Sequence, residues 1–353
     1  MNKTPLSPAE QLKRDISFTR SDFDQLAAKV KLTSVRDAYA SLDSAIVTLP
    51  LRVQKIRDRK YAFNRILESQ AESFKTQWNL KRGSVLSHLT QESNSLQNLY
   101  RPLEIRVATL GNPGTTSATH QAVKNEINSF KTRISASERA VTEMFESLKN
   151  EVNQVQTQLN QIEKSLELGE TASFGFLPTE SLVRAVKAVW TRDHDEDKED
   201  PEGFLFLTDQ RLLFEQREEV ATRKVLFVTT ERKKVQNLLF EVPVFSIGEV
   251  KATKQGMLKN EDWLDLEFES GAFARSARLH LDGQDCNIWQ RLINQVKARE
   301  LDFDRAIAID QAAVEKVKSA PVVCPACGGT LSRPVLRGMD TITCDFCGHI
   351  IKL

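Results

Sequence analysis

The sequence predicts a multidomain α + β chain: a long helical coiled coil or bundle, then a strand-rich domain closed by one helix, then a small cysteine-held tail. Three observations predict it. Apolar residues recur at helical spacing over roughly positions 1–168, and between about 176 and 300 the period shortens to that of strands. Four of the five cysteines sit in two Cys-x-x-Cys pairs within the last thirty residues. A length of 353 residues exceeds one core and leaves room for two or three domains.

The helical segment shows three stripes. Phe23, Leu26, Val30, Val35, Tyr39, Leu42, Ile46 and Leu49 form the first, with a break in register between Val30 and Val35. Val53, Ile56, Phe63, Leu67, Phe74, Trp78, Val85, Leu89, Leu96 and Leu103 form the second, separated from the first at Pro50, which cannot continue the backbone ladder. After the turn Gly111-Asn112-Pro113-Gly114, the third runs from Val123 to Leu166 in alternating steps of four and three, with a slip near Met144 and Phe145. About six heptads of such spacing make a seam of roughly 70 Å. The expectation is an antiparallel bundle, or a rod that also pairs with a second copy.

In the middle segment, Gly203 to Phe214 reads as two apolar strands around a tight Thr-Asp-Gln turn. Val186–Trp190, Val225–Thr229, Leu238–Ile247, Trp263–Phe268 and Ala277–Leu281 are further strand candidates, rich in β-branched and aromatic residues. A closing helix from Cys286 to Arg299 carries Trp289, Leu292, Ile293 and Val296 on one face. Glu180, the Val186–Trp190 strand, the Gly-x-Leu-x-Leu-Thr-Asp-x-Arg-Leu-Leu-Phe stretch and the helix with Trp289 together resemble a pleckstrin-homology-like domain of the GRAM variety, over residues 176–300. The resemblance implies an antiparallel sheet capped by the helix, used for binding lipids or proteins and not for catalysis. It also implies a basic loop between the first two strands in members that bind phosphoinositides. Here that loop, Asp193–Glu202, holds seven acids and one lysine, which would repel phosphate by about several kcal/mol, so inositide capture there is not expected. The loop lacks the glycine and ligand spacing of a calcium site and reads as a solvated run. Arg232-Lys233-Lys234 reads as a solvated strand edge, with a lipid contact as the alternative.

A helical linker over 301–320 leads to the tail at 321–353. There Cys324-Pro-Ala-Cys327-Gly-Gly and Cys344-Asp-Phe-Cys347-Gly-His stand sixteen residues apart. Two residues between cysteines let one turn present both thiolates, and the following glycine lets the chain fold back. Two such knuckles complete a tetrahedron around one structural Zn2+, with Cys324, Cys327, Cys344 and Cys347 as ligands and no open position. About thirty residues bury too little core alone, so the ion would supply most of the folding free energy. Disulfides or a redox pair are the disfavoured alternative, and His349 as a replacement ligand is more so. The stretch resembles rubredoxin-like zinc ribbons, whose partners are nucleic acid in some proteins and protein in others. Arg333, Arg337 and Lys352 are its only Lys or Arg residues, a thin footprint for phosphates, which favours protein contact.

Lysine plus arginine (49) nearly balances aspartate plus glutamate (48), which excludes a wholly cationic nucleic-acid binder. A local surplus exists from Leu51 to Arg82, with nine basic residues against three acids; it reads as a polar helix face or as a surface for anionic partners. The first residues lack the apolar run of a signal peptide, which predicts a reducing cytoplasm, with peripheral membrane association as an option. No nucleotide-cradling glycine loop, nucleophile elbow or paired His and Glu on one helix is present in the sequence, and His280 reads as packing. Cys286 at a helix start is either reactive through the helix dipole or, more commonly, a buried small residue. The function expected is a non-enzymatic cytoplasmic scaffold or adaptor that oligomerises through its helices and binds protein partners. Anionic-lipid binding and nucleic-acid binding are the alternatives.

Overall fold

The computed structural model describes residues 7–192, 199–225, 228–257, 260–269 and 274–353, and for Arg192, 220–225 and 228–232 the backbone alone. The chain divides into two units, one of the residues up to Pro50 with Ser69–Gln156, the other of Leu51–Glu68 with Thr157–Leu353. Helices α1 (Pro8–Asp24), α2 (Leu26–Lys29), α3 (Thr33–Asp58), α4 (Leu67–Thr109), α5 (Ser117–Glu143) and α6 (Glu146–Glu170) make up the N-terminal half. α1 opens on a capping box, Ser7 Oγ accepting from the Glu10 N–H while the Glu10 carboxylate accepts from the Ser7 N–H.

Within the first unit the predicted stripes are buried against one another. Phe23 stacks on Tyr100 at 4.7 Å, Ser93 Oγ donates to the Val30 carbonyl at 3.2 Å, and Trp78 Nε1 donates to Asp43 at 2.7 Å. Numbers rise along α1–α3 as they fall along α4, so the two run antiparallel. Ser137 Oγ donates to Glu92 at 2.5 Å and Arg106 pairs with Glu126, which sets α5 antiparallel to α4 in turn.

Three sequence expectations here need correction. Pro50 lies inside α3 and separates nothing. The one missing backbone bond is tolerated where Ile46, Leu49 and Val53 bury the helix face on either side of it. The break falls instead at Arg59–Ile66, so Val53 and Ile56 belong to α3 and the basic stretch from Leu51 to Arg82 is not one helix. Lys60 and Asn64 take positive φ there, and Arg57 pins the turn by donating to the carbonyls of Tyr61, Phe63 and Asn64 at 2.6–2.9 Å. The slips read near Val30 and Met144 coincide with real interruptions: Leu32 has φ 52°, and α5 ends before α6 at Met144–Phe145.

In the second unit, β1 (Leu182–Arg192), β2 (Glu202–Thr208), β3 (Arg211–Val225), β4 (Val228–Pro243), β5 (Ile247–Gln255), β6 (Glu261–Phe268) and β7 (Ser276–Asp282) form one antiparallel sheet in the order β4-β3-β2-β1-β7-β6-β5. Leu205, Phe206 and Leu207 of β2 and Leu212, Leu213 and Phe214 of β3 are all fully buried, which is why these strands read as unbroken apolar runs. Gly203 has to lack a side chain: a Cβ would sit 1.9 Å from the Glu215 carbonyl oxygen of the paired strand. Helix α7 (Cys286–Lys297) closes the sheet on β5 and β6, burying Cys286, Trp289 and Ile293 completely, while Trp289 Nε1 donates to Gln284 at 2.9 Å. An antiparallel sheet closed by a C-terminal helix is what the pleckstrin-homology-like resemblance implied.

Two strand boundaries differ from expectation. Leu238–Ile247 is not one strand: Pro243 ends β4, and Val244–Ser246 form a 3-10 turn before β5. Val225–Thr229 is not a separate strand but spans the end of β3 and the start of β4, with Leu226 and Phe227 outside the described residues. The polar stretches flanking it belong to the same hairpin, paired as far as Val225 with Val228, where alternation gives no core signal. The linker is not a continuous helix either. A 3-10 turn (Glu300–Asp304) and an extended piece precede α8 (Gln311–Ser319), because the Ala306 and Ile307 N–H groups are taken by the Ala62 carbonyl, the former at 2.7 Å.

Candidate metal centre and its docking onto the sheet

The tail is two turns, the first closed by an antiparallel bridge between Val323 and Thr330, the second by a short hairpin of β8 (Thr341–Thr343) paired with β9 (Ile350–Lys352). Each turn closes alike: the Gly328 N–H donates to the Cys324 carbonyl and the Gly348 N–H to the Cys344 carbonyl, both at 2.9 Å. Gly328 and Gly348 have φ of 73° and 71°, the left-handed conformation that favours glycine at both positions. Cys324 and Cys344 are buried with Ile342 and Ile351 in the small core of the tail, and Cys327 and Cys347 stand at the surface.

The four sulfurs lie within 4.8 Å of one another, with 3.7 Å between Cys324 and Cys347 and between Cys327 and Cys344. Disulfide-bonded sulfurs would be about 2.05 Å apart. A tetrahedron with four sulfurs about 2.3 Å from its centre has edges of about 3.8 Å. Burial opposes ionisation of Cys324, but the Cys327 and Ala326 N–H groups outweigh it and bring the thiol down to about 7. The four predicted positions therefore form a cluster that could hold a metal ion. Among the described residues a second group of possible donors exists, Asp262, Asp285 and Cys286. Lys254 already occupies it, 3.0 Å from Asp262 and 3.1 Å from Asp285, and Asp285 caps α7 by accepting from the Asn287 N–H. Burial, with Asp262 alongside, pushes the Cys286 thiol up to about 11, so it stays protonated at neutral pH, as a buried small residue and not as a nucleophile.

The tail meets the sheet at the β2–β3 turn. Gln210 Nε2 donates to the Arg337 carbonyl at 3.0 Å and Gln210 Oε1 accepts from the Arg337 N–H at 2.7 Å. Asp209 is only 3 % exposed and receives Arg337 Nη2 at 2.7 Å, Arg305 Nη1 at 2.8 Å and the Ser181 N–H at 2.9 Å. Beside it Arg211 joins Glu180 and Glu241, each at 2.5 Å, and the buried Thr208 hydroxyl donates to Glu180. Burial works against the charge on Arg211, yet Glu180 and Glu241 outweigh it and hold its pKa above the usual value. The Thr-Asp-Gln-Arg stretch read as a turn is thus also an anchoring point. Nothing in the local sequence paired Asp209 and Gln210 with Arg305 and Arg337, which lie about a hundred residues away or more.

Glu215 is a further buried carboxylate with no exposed side-chain surface. Burial alone would raise its pKa, but donation from the Ser173 N–H, Gln236 and Arg217 holds it below the usual glutamate range. His280 stacks on Trp263 at 4.8 Å, in keeping with packing. Of the acidic loop, Asp193–Lys198 lie outside the described residues, as does the Arg232 side chain of the basic cluster.

No protein-family model matches the chain, and no curated protein does. Solved structures with similarity include the Vps36 N-terminal PH domain, 14% identical over 36% of this chain and 86% of that one, with a TM-score of 0.25. The complex of PDZ-RhoGEF DH/PH domains with activated RhoA is 12% identical over 82% and 92%, with a TM-score of 0.24. Autoinhibited Vav1 is 11% identical over 98% and 71%, also at 0.24. At such scores the pleckstrin-homology-like reading rests on the strand order and closing helix. No helix among the described residues is long and apolar enough to cross a membrane.

Proposed function

We propose that this protein is a non-enzymatic adaptor in which a GRAM-like domain at 176–300 and a zinc ribbon at 321–353 contact protein partners. In this reading Cys324, Cys327, Cys344 and Cys347 hold one structural Zn2+, the helical segment at 1–168 self-associates, and the setting is the cytoplasm. The thiolate donor set and the 3.7 Å sulfur separations fit a closed tetrahedral zinc site, in which the ion supplies folding free energy and no chemistry.

The observation that carries the partner class is how the tail spends its surface. Val322, Phe346 and Ile350 are 73 %, 72 % and 62 % exposed. Of its three Lys and Arg side chains, Arg333 pairs with Asp345 at 2.8 Å and Arg337 is turned onto Asp209, leaving only Lys352 without an ion pair among the described residues. Apolar surface with its cations already committed suits a protein partner better than phosphate. The anionic-lipid reading weakens for the same reason, since Arg52, Arg57 and Arg59 pair with Glu163, Glu68 and Glu170 at 2.6–2.7 Å.

The test combines pull-down from native extract with filter binding of nucleic acid across a salt titration. The adaptor reading expects partners lost on Phe346→Asp with zinc content retained, and no salt-dependent nucleic-acid affinity. A log–log salt slope of about −3 or steeper would replace it with nucleic-acid binding.

A further inference from the structure

Where the tail docks, it completes a cleft of about 410 Å³ within the second unit, bounded also by the β2–β3 turn, the 3-10 turn after β4, the end of α7 and α8. That is the size of a site for a small molecule, not for a membrane surface. Its lining is apolar at Val244, Val296, Val317 and Leu336, from four separate segments, and Val244, Val296 and Leu336 are buried. Its acids, Asp209 and Asp302, are balanced by Arg305 and Arg337 together: Arg305 lies 2.8 Å from Asp209 and 3.9 Å from Asp302, and Arg337 lies 2.7 Å from Asp209.

Two arginines lining the same cleft have N–H donors to spare, although the charge of Arg337 is spent on Asp209. Arg337 commits Nη2 to Asp209, while its Nη1 is buried and has no hydrogen-bond partner among the described residues. Arg299 makes no ion pair among the described residues and takes φ 57° directly after the end of α7. That position, one residue past the C-cap, favours glycine. An apolar lining plus unused guanidinium donors complements a short hydrocarbon chain ending in an oxyanion, of which a carboxylate is the smallest.

We propose that this cleft binds a small amphiphilic carboxylate, its chain against the four apolar residues and its carboxylate taken by Arg299 and Arg337. The proposal stands independently of the adaptor reading and of which metal fills the tail. Equilibrium dialysis of the full-length protein with radiolabelled octanoate tests it, with octanol and octylamine as competitors of equal chain length. Saturable binding of one octanoate per chain is expected, with octanol weaker by about tenfold and octylamine weaker still. Val317→Phe, which fills the cleft, abolishes binding. Arg299→Gly weakens it about tenfold while leaving the melting temperature undiminished, because glycine relaxes the backbone there. Octanol binding as tightly as octanoate, no saturable site, or Arg299→Gly with unchanged affinity each overturns the proposal. Unchanged octanoate binding in Val317→Phe does so as well, once circular dichroism shows that variant folded.

Discussion

The sheet domain and the tail solve the same problem, holding a fold together, by opposite means. The sheet buries side chains: three consecutive residues in each of β2 and β3 are inaccessible, and α7 adds Trp289 and Ile293. The tail buries little more than Ile342 and Ile351 beside two of its cysteines, and gathers four sulfurs instead. Stability in the first scales with apolar area and packing; in the second, on the zinc-ribbon reading proposed above, it would be bound up with one site that is filled or not. The difference teaches where each is vulnerable. The sheet yields to cavities, and a metal-held tail would yield to chelation and oxidation.

The largest effect that would break this contrast is on the tail. Cys344→Ser, or chelation, is expected to remove about 10 kcal/mol or more of apparent metal-binding free energy and unfold residues 321–353. Hydrogen exchange should then show loss of protection at β8 and β9 while β1–β7 stay protected; equal loss in both would mean the two are not separately held. Next, Trp289→Ala should destabilise the sheet by about 3–5 kcal/mol, read by denaturant unfolding, with metal content unchanged.

Glu215→Gln should cost about 2–3 kcal/mol, since it removes the charge that Ser173, Gln236 and Arg217 serve. Its pH signature has a definite sign. A carboxylate whose folded pKa is depressed stabilises the fold at pH above its unfolded value, near 4.3, and that contribution fades as pH falls through the lowered folded value. Wild type should therefore lose stability more steeply than Glu215→Gln on acidification below about pH 4.3, measured by melting temperature against pH. Smallest of the four, Gln210→Ala should cost about 1–2 kcal/mol and raise exchange at residues 335–339 without releasing metal. An unaltered exchange pattern there would mean that the salt links of Asp209 alone hold the tail.

How much of this was legible in the sequence follows from the physics of each element. The clustering of the four cysteines showed itself because each Cys-x-x-Cys pair closes its own turn locally. The closing helix did so through the spacing of Trp289, Ile293 and Val296, and β2 and β3 through two-sided burial. The polar arms of the β3–β4 hairpin did not, because a ladder of backbone bonds demands no apolar pattern. Pro50 misled because packing on both sides outweighed a local breaker, and the turn at Arg59–Ile66 stayed hidden because its stabiliser, Arg57, reads as an ordinary helix-surface cation. The anchoring of the tail was invisible for a third reason. Asp209, Gln210, Arg305 and Arg337 form a set only after the chain has folded.

The Gln210 amide offers one donor and one acceptor to the main chain of Arg337, much as the next rung of a β-ladder would. A side chain standing in for a strand reads the shape of the visiting backbone and not the identity of the visitor. A cysteine-rich tail of different sequence, grafted after α8 with its loop in the same conformation, would still find this half of its seat.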